Sequence, residues 1–224
     1  IHPYAFLSIL SEEMNDEDIL VGDCGGNIVA LGHSFETKIG QRFITNNGNS
    51  PMGFSFAGAI GAWFASNKEQ NVICIIGDGG FNMNIQELQT LLNYGIAVKT
   101  IILNNQIYGI TKAFQEVNFE GRSEACGPKG YNPPDFVKIC KAYGVETIVI
   151  DDGTDYEKVR AQIRELLDSD GPLMKAAADL AAAARKVTAS KTFDNATSCS
   201  SENSVVIVDA VYDAAIAALE AEGG

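Results

Sequence analysis

Basic residues are scarce in this 224-residue sequence: 16 Lys and Arg stand against 29 Asp and Glu, a net charge of −13. Such a chain repels phosphate backbones, which excludes nucleic acid as a partner class. Histidine is almost missing, with only His2 and His33. No apolar run approaches the roughly 20 residues a membrane helix needs, and the start shows no leader-like pattern. No membrane partner is therefore expected. The five cysteines, Cys24, Cys74, Cys126, Cys140 and Cys199, form no Cys-x-x-Cys pair. That argues against a disulfide framework and against structural zinc. A reducing, cytoplasmic compartment is expected. Because the sequence starts at Ile1 rather than Met, further residues upstream are expected too.

What is present is apolar mass. With 46% hydrophobic and 20% charged residues, the chain can fill a sizeable core, so disorder as the dominant state is excluded. Residues 1–14 read as a helix, with Leu7, Leu10 and Met14 at i, i+3 and i+7. Residues 19–21 form a short apolar strand running into Asp23-Cys24-Gly25-Gly26-Asn27, followed by a helical stretch at 28–35. Residues 42–45 read as a strand, 46–51 as a loop, and 53–62 as a helix of small residues. Continuous apolar strands at 72–76 and 98–103 have the character of buried parallel strands. Helices at 85–93, 135–143 and 156–167, with a strand at 147–150, complete the alternation. This pattern predicts an α/β fold: an open parallel sheet with helices on both faces.

Chemistry is concentrated in Gly77-Asp78-Gly79-Gly80 and Asn104-Asn105, with Asn105 following Asp78 at a spacing of 27. Both follow predicted strands, at the sheet edge where open α/β folds bind ligands. One carboxylate and one amide oxygen facing each other suit Mg²⁺ or Ca²⁺, with phosphate oxygens completing the shell. Gly79 and Gly80 let backbone N–H groups approach a phosphate. A helix expected to start near Asn84 or Ile85 would aim its positive end there.

These motifs, with the stretches "GDGGFNMNIQELQTLLNYGIAVKTIILNN" and "YGITKAFQE", resemble the thiamine diphosphate enzymes, in their acetolactate synthase-like branch of decarboxylases and carboligases. The resemblance covers residues 1–172 and implies a pyrophosphate-binding (PP) domain that holds thiamine diphosphate and Mg²⁺. It implies Asp78, Asn105 and the Ile107 carbonyl as metal ligands. Gly77, Gly79 and Gly80 would surround the diphosphate, with Gly25, Gly26 and Asn27 touching it from the first strand end. Met52 would prop the cofactor in its bent shape, and the Ser50 carbonyl would accept from its amino group. Asn27 equally suits a turn, and Met52 a core position. The resemblance further implies that an activating Glu sits on a separate pyrimidine-binding (Pyr) domain. No Pyr domain is visible in the sequence. A Pyr-domain subunit, or a missing segment of the same polypeptide, is thus expected as partner, in a homo- or hetero-oligomer acting on a 2-oxo acid. Without that partner the chain is expected to be inactive.

Three weaker elements remain. His33 offers either a substrate-channel residue or a surface histidine, and His2 offers less. The glycine-rich residues 119–131 read as a loop able to close as a lid, with Arg122 and Lys129 either meeting a substrate carboxylate or simply solvated. Beyond Asp170-Gly171-Pro172, taken as a domain boundary, the character changes. Residues 175–186 read as an Ala-rich helix, and 173–175 as too short for the strand expected there. The "SVVIVDA" run at 204–210 would then complete the sheet. Residues 173–224 also contain "SKTFDNATSCSSENSVVIVDAVYD", which resembles the catalytic-cysteine region of CoA-acylating aldehyde dehydrogenases and implies Cys199 as a thiol nucleophile. The competing functional readings are a PP subunit of a 2-oxo acid oxidoreductase, a non-catalytic association module, and an acylating dehydrogenase fragment.

Overall fold

The computed structural model describes residues 1–66, 69–150, 153–171 and 173–177. In chain order the elements are α1 (Pro3–Glu13), β1 (Ile19–Gly22), α2 (Gly26–Ser34), β2 (Arg42–Ile44), α3 (Phe54–Ala65) and β3 (Val72–Gly77). They continue with α4 (Asp78–Met83), α5 (Glu87–Tyr94), β4 (Val98–Leu103) and α6 (Gly109–Asn118). A 3₁₀ turn (Glu124–Cys126), α7 (Phe136–Tyr143), β5 (Glu146–Ile150), α8 (Tyr156–Leu167) and β6 (Leu173–Ala177) follow. The six strands form one sheet in the order β2-β1-β3-β4-β6-β5, and every pairing is parallel. The α/β class and the open parallel sheet agree with the sequence pattern. Among the described residues, no helix is long and apolar enough to cross a membrane.

Strand alternation sorts the core into two layers. Leu20, Ile73, Ile75, Ile101 and Leu103 face α1, α2 and α8, where Phe6, Leu10, Leu31, Val159 and Ile163 meet them. Ile19, Val21, Val72, Cys74, Ile76, Val98 and Ile102 face the opposite layer, packed by α3, α4, α5 and α7. Phe81 of α4 is the hub of that second layer. Its ring lies 5.3 Å from Phe56 and 5.3 Å from Phe136, edge-on to both. This contact anchors α4 directly beneath the end of β3.

Three expectations are corrected here. Residues 173–177 are a strand, not the start of a helix, and they occupy the sheet position between β4 and β5. Backbone pairing on both sides outweighs the helix preference of an alanine-rich sequence. The slot foreseen for residues 204–210 is thereby filled by β6; that segment, like Cys199, lies outside the described residues. Second, the helix after Gly77 starts at Asp78 itself, and a separate helix begins at Glu87. Third, the stretch after Asn105 contains a helix, α6, that the apolar pattern did not announce. α6 buries no side chain, so core periodicity had nothing to mark.

Lys99 fixes the approach to β6. It is fully buried within β4. Its Nζ donates to the Ser169 carbonyl, to Ser169 Oγ at 2.8 Å and to the Gly171 carbonyl at 2.9 Å. Phe81→Ala is expected to destabilise the domain by about 3–5 kcal/mol, read from urea unfolding. A loss below ~1 kcal/mol would show that the second layer does not depend on this ring.

Candidate functional site

β3 and β4 pair in register, with Gly77 opposite Leu103. Their continuations, Asp78 and Asn104-Asn105, therefore leave the sheet side by side at its carboxyl edge. The geometry brings the two motifs together as their spacing suggested.

Asp78 opens α4 and is 3% exposed. Its Oδ2 has no hydrogen-bond partner within the protein. Burial pushes its carboxyl up from 3.8 to about 6, opposed by the neighbouring Tyr131 hydroxyl, which approaches without reaching hydrogen-bond geometry, and by the Gly79 N–H. An acceptor-only group left unpaired in the interior is costly unless something outside the chain satisfies it. Asn105 is half-buried; its Oδ1 accepts from the Ile107 N–H at 3.2 Å, and that amide oxygen keeps a second lone pair. The intervening Gln106 sits at φ +58°, a left-handed conformation uncommon for a side-chain-bearing residue. This turn carries the chain round the strand end.

A second carboxylate lies at the end of β1. Asp23 is buried, and burial raises its pKa, opposed by backbone donors. Unlike Asp78 it is well paired: Oδ2 accepts from the Gly53 N–H at 3.1 Å and Oδ1 from the Ser55 N–H at 3.2 Å. It thus ties the start of α3 to β1. Gly80 is packed against the same carboxylate; a Cβ there would come within 2.1 Å of Asp23 Oδ2. Gly53, at φ +86°, is closed from the other side by Asn84, whose Nδ2 donates to its carbonyl at 2.8 Å.

Around this frame the expected residues fall as follows. Gly25 precedes α2 at φ +75° and Gly26 begins it; a Cβ on either would meet nothing within 4 Å, so the space beside this turn is open. Asn27 turns inward: its Nδ2 donates to the Cys24 carbonyl at 2.9 Å and borders Gly77, a turn-holding role. Ser50 is exposed at φ +45°. Met52 reaches back from that loop. Its Cε would lie 2.8 Å, and the Tyr108 ring 2.6 Å, from a Cβ at Gly79. Met52 and Tyr108 thus meet over the glycine of the motif.

Other candidates lie apart. His2 caps α1, its Nδ1 accepting from the Tyr4 N–H at 3.1 Å. His33 is in the last turn of α2 beside Tyr4, about 10 Å of helix away from Gly26. Arg122 and Lys129 are exposed, and Arg122 Nε donates to the Phe119 carbonyl at 2.9 Å. Sequence reasoning overlooked Asp23, Asn84, Tyr108 and Tyr131. A carboxylate directly after a buried strand was a usable signal for Asp23. Tyr131 carried none, since it sits in a stretch whose composition reads as a solvated loop.

Residues 23–175 match the family described as "Thiamine pyrophosphate enzyme, C-terminal TPP binding domain". The chain belongs to the thiamine pyrophosphate enzymes. Its relatives in that family include the probable acetolactate synthase large subunit of Methanococcus aeolicus, 34% identical over 161 residues, which are 72% of this chain and 26% of that protein. The acetolactate synthase isozyme 2 large subunit of Escherichia coli (strain K12) is 32% identical over 176 residues, 78% of this chain and 31% of that one. In fold, the chain resembles the thiamine diphosphate-dependent 4-hydroxybenzoylformate decarboxylase of Rhodococcus jostii RHA1, with a TM-score of 0.69 at 24% identity, over 79% of this chain and 32% of that one. The chain spans about a quarter to a third of the length of these thiamine pyrophosphate enzymes.

The residues present fit the cofactor's metal diphosphate. Among the described residues, no group of three His, Cys, Asp or Glu could hold a metal ion. Any cation bound here would have to be held by mixed oxygen donors, and Asp78 Oδ2 is a buried one without a partner. The open space beside Gly25 and Gly26 adjoins it along the same sheet edge.

A rise in the Asp78 pKa from 3.8 to about 6 means that the folded chain binds this proton more tightly than the unfolded chain does. Metal-free protein should therefore lose roughly 2 kcal/mol of stability from this group as pH rises from about 4 to about 7. Asp78→Asn should escape that loss. Urea unfolding of both chains in chelator, at pH 4 and pH 7, checks it: the asparagine variant should be relatively more stable only at pH 7.

Proposed function

We propose that this chain is the PP part of an acetolactate synthase-like decarboxylase or carboligase, binding thiamine diphosphate through Mg²⁺ and acting on a 2-oxo acid. The observation that carries the reading is the unpaired, buried Asp78 carboxylate standing beside Asn105 at the carboxyl edge of a parallel sheet. Asp78 and the Asn105 amide oxygen would hold the metal, with the Ile107 carbonyl as the third protein ligand. Gly77, Gly79 and Gly80, with the Gly25-Gly26-Asn27 turn, would border the diphosphate, and the Asp23 clamp keeps Gly80 and the start of α3 in place for it. Met52 would support the bent cofactor, and the Ser50 carbonyl would orient its amino group. When bound, the cofactor supplies the electron sink that decarboxylation of a 2-oxo acid requires.

A Pyr domain, on another subunit or another segment of the same polypeptide, would supply the remainder of the site. Two features support this. The chain matches only part of each relative's length. Beside the site, α6 and the turn after it present Phe114, Val117 and Phe119 to solvent, an apolar surface suited to cover by another protein surface. Assembly into an oligomer, in the cytoplasm, belongs to the same reading.

Calorimetric titration of Mg²⁺-thiamine diphosphate into wild type and Asp78→Ala is the test. Loss of the carboxylate should weaken binding by more than about tenfold. Equal affinities would sink the assignment.

A further inference from the structure

One buried hydroxyl near the site makes no hydrogen bond that holds the fold. Tyr131 is 6% exposed, and its hydroxyl finds no hydrogen-bond partner in the protein. It lies close enough to Asp78 that the carboxylate's charge adds to burial in pushing its phenol up. The hydroxyl stands beside the Asp78 carboxylate and acts on it, yet the approach falls short of hydrogen-bond geometry, so the hydroxyl and Asp78 Oδ2 both lack a proper partner.

The position of that hydroxyl is firmly held. The Tyr131 ring stacks on Tyr108 with centroids 4.0 Å apart. The Tyr131 N–H donates to the Gly127 carbonyl at 2.7 Å, and the Tyr108 N–H donates to the Cys126 carbonyl at 3.0 Å. The Cys126 thiol in turn donates a hydrogen bond to Gln115 Oε1 at 3.1 Å, and Ser123 Oγ donates to Glu116 Oε1 at 3.2 Å, which ties the strap back onto α6. A phenylalanine would keep the same stack and leave no buried donor unpaired. Packing therefore does not explain the oxygen.

The two unpaired atoms ask for different things. Asp78 Oδ2 needs a cation or a donor; the Tyr131 O–H needs an acceptor. A cation alone would satisfy only the first, and an anion only the second. A metal ion carrying its own oxyanion satisfies both at once. We infer that Tyr131 is a further diphosphate-binding residue, donating its hydroxyl to an oxygen of the anion carried by the metal at Asp78. The inference rests on the function proposed above. It makes residues 119–131 a fixed wall of the site that contributes a ligand contact through Tyr131, while the charges of Arg122 and Lys129 stay in solvent.

The test uses the full 224-residue chain, titrated with Mg²⁺ alone and then with inorganic diphosphate in saturating Mg²⁺. In Tyr131→Phe, Mg²⁺ affinity should be unchanged, while diphosphate binding should weaken by about tenfold or more. The phosphorus NMR shift of the bound diphosphate should move as well. The ligand-free variant should unfold at the same or a higher temperature than wild type, which separates a lost contact from a damaged fold. Unchanged diphosphate affinity in Tyr131→Phe, with binding lost in Asp78→Ala, would overturn the inference and leave the proposed function standing. A parallel fall in both affinities would also overturn it, because Tyr131 would then act only through Asp78. If Asp78→Ala binds magnesium diphosphate as wild type does, the functional reading fails and takes this inference with it.

Discussion

The parallel register between β3 and β4 is the constraint on which the site depends. With Gly77 set against Leu103, the first residues beyond each strand cannot be far apart. A slip of one residue would turn Asp78 or Asn105 to the other face. The register is in turn fixed by burial. Both strands are enclosed along their lengths, and their side chains are committed alternately to the two core layers. Placing an acidic group beside an amide oxygen is thus a by-product of packing two apolar strands.

The two buried carboxylates at this edge make opposite uses of the same physics. Asp23 is taken out of water and repaid by two backbone N–H groups, so it works as a fastener between β1 and α3. Asp78 is taken out of water and left short of a partner. One is a finished structural contact; the other is a standing demand for a ligand. The glycines around them follow from this arrangement rather than from flexibility. Gly80 is small because Asp23 lies against it, and Gly79 because Met52 and Tyr108 do.

Much of this could be read from the residues in order. Continuous apolar runs at 72–76 and 98–103 announced buried parallel strands, and the glycine-flanked Asp78 announced the turn at the carboxyl edge of β3. What stayed hidden depends on contacts that sequence order does not carry. The strand at Leu173–Ala177 looked helical because its composition is helical; only two waiting strand edges make it extended. The helix Gly109–Asn118 escaped because it has no core face. Tyr131 escaped because a residue in a polar, glycine-rich stretch gives no sign that its neighbours fold back to bury it. The placement of His33, a helix length from Gly26, is equally invisible until the direction of α2 is known.

The place of β6 bears on how the molecule assembles. It is the last described strand in the chain, yet it sits inside the sheet, and it is the neighbour through which β5 is joined to β4. Lys99 pairs across to Leu173, far along the sequence. Closing a connection of that length precedes any gain from the pairing. Until Leu173–Ala177 leave the ribosome, β5 has no edge to join, and α8 packs on an incomplete surface. The nascent chain can order β2, β1, β3 and β4, with the Asp78 motif among them, well before the sheet is whole. Completion is then a late insertion of one strand between two others, and truncation just before residue 173 would leave both edges open to pairing with other chains.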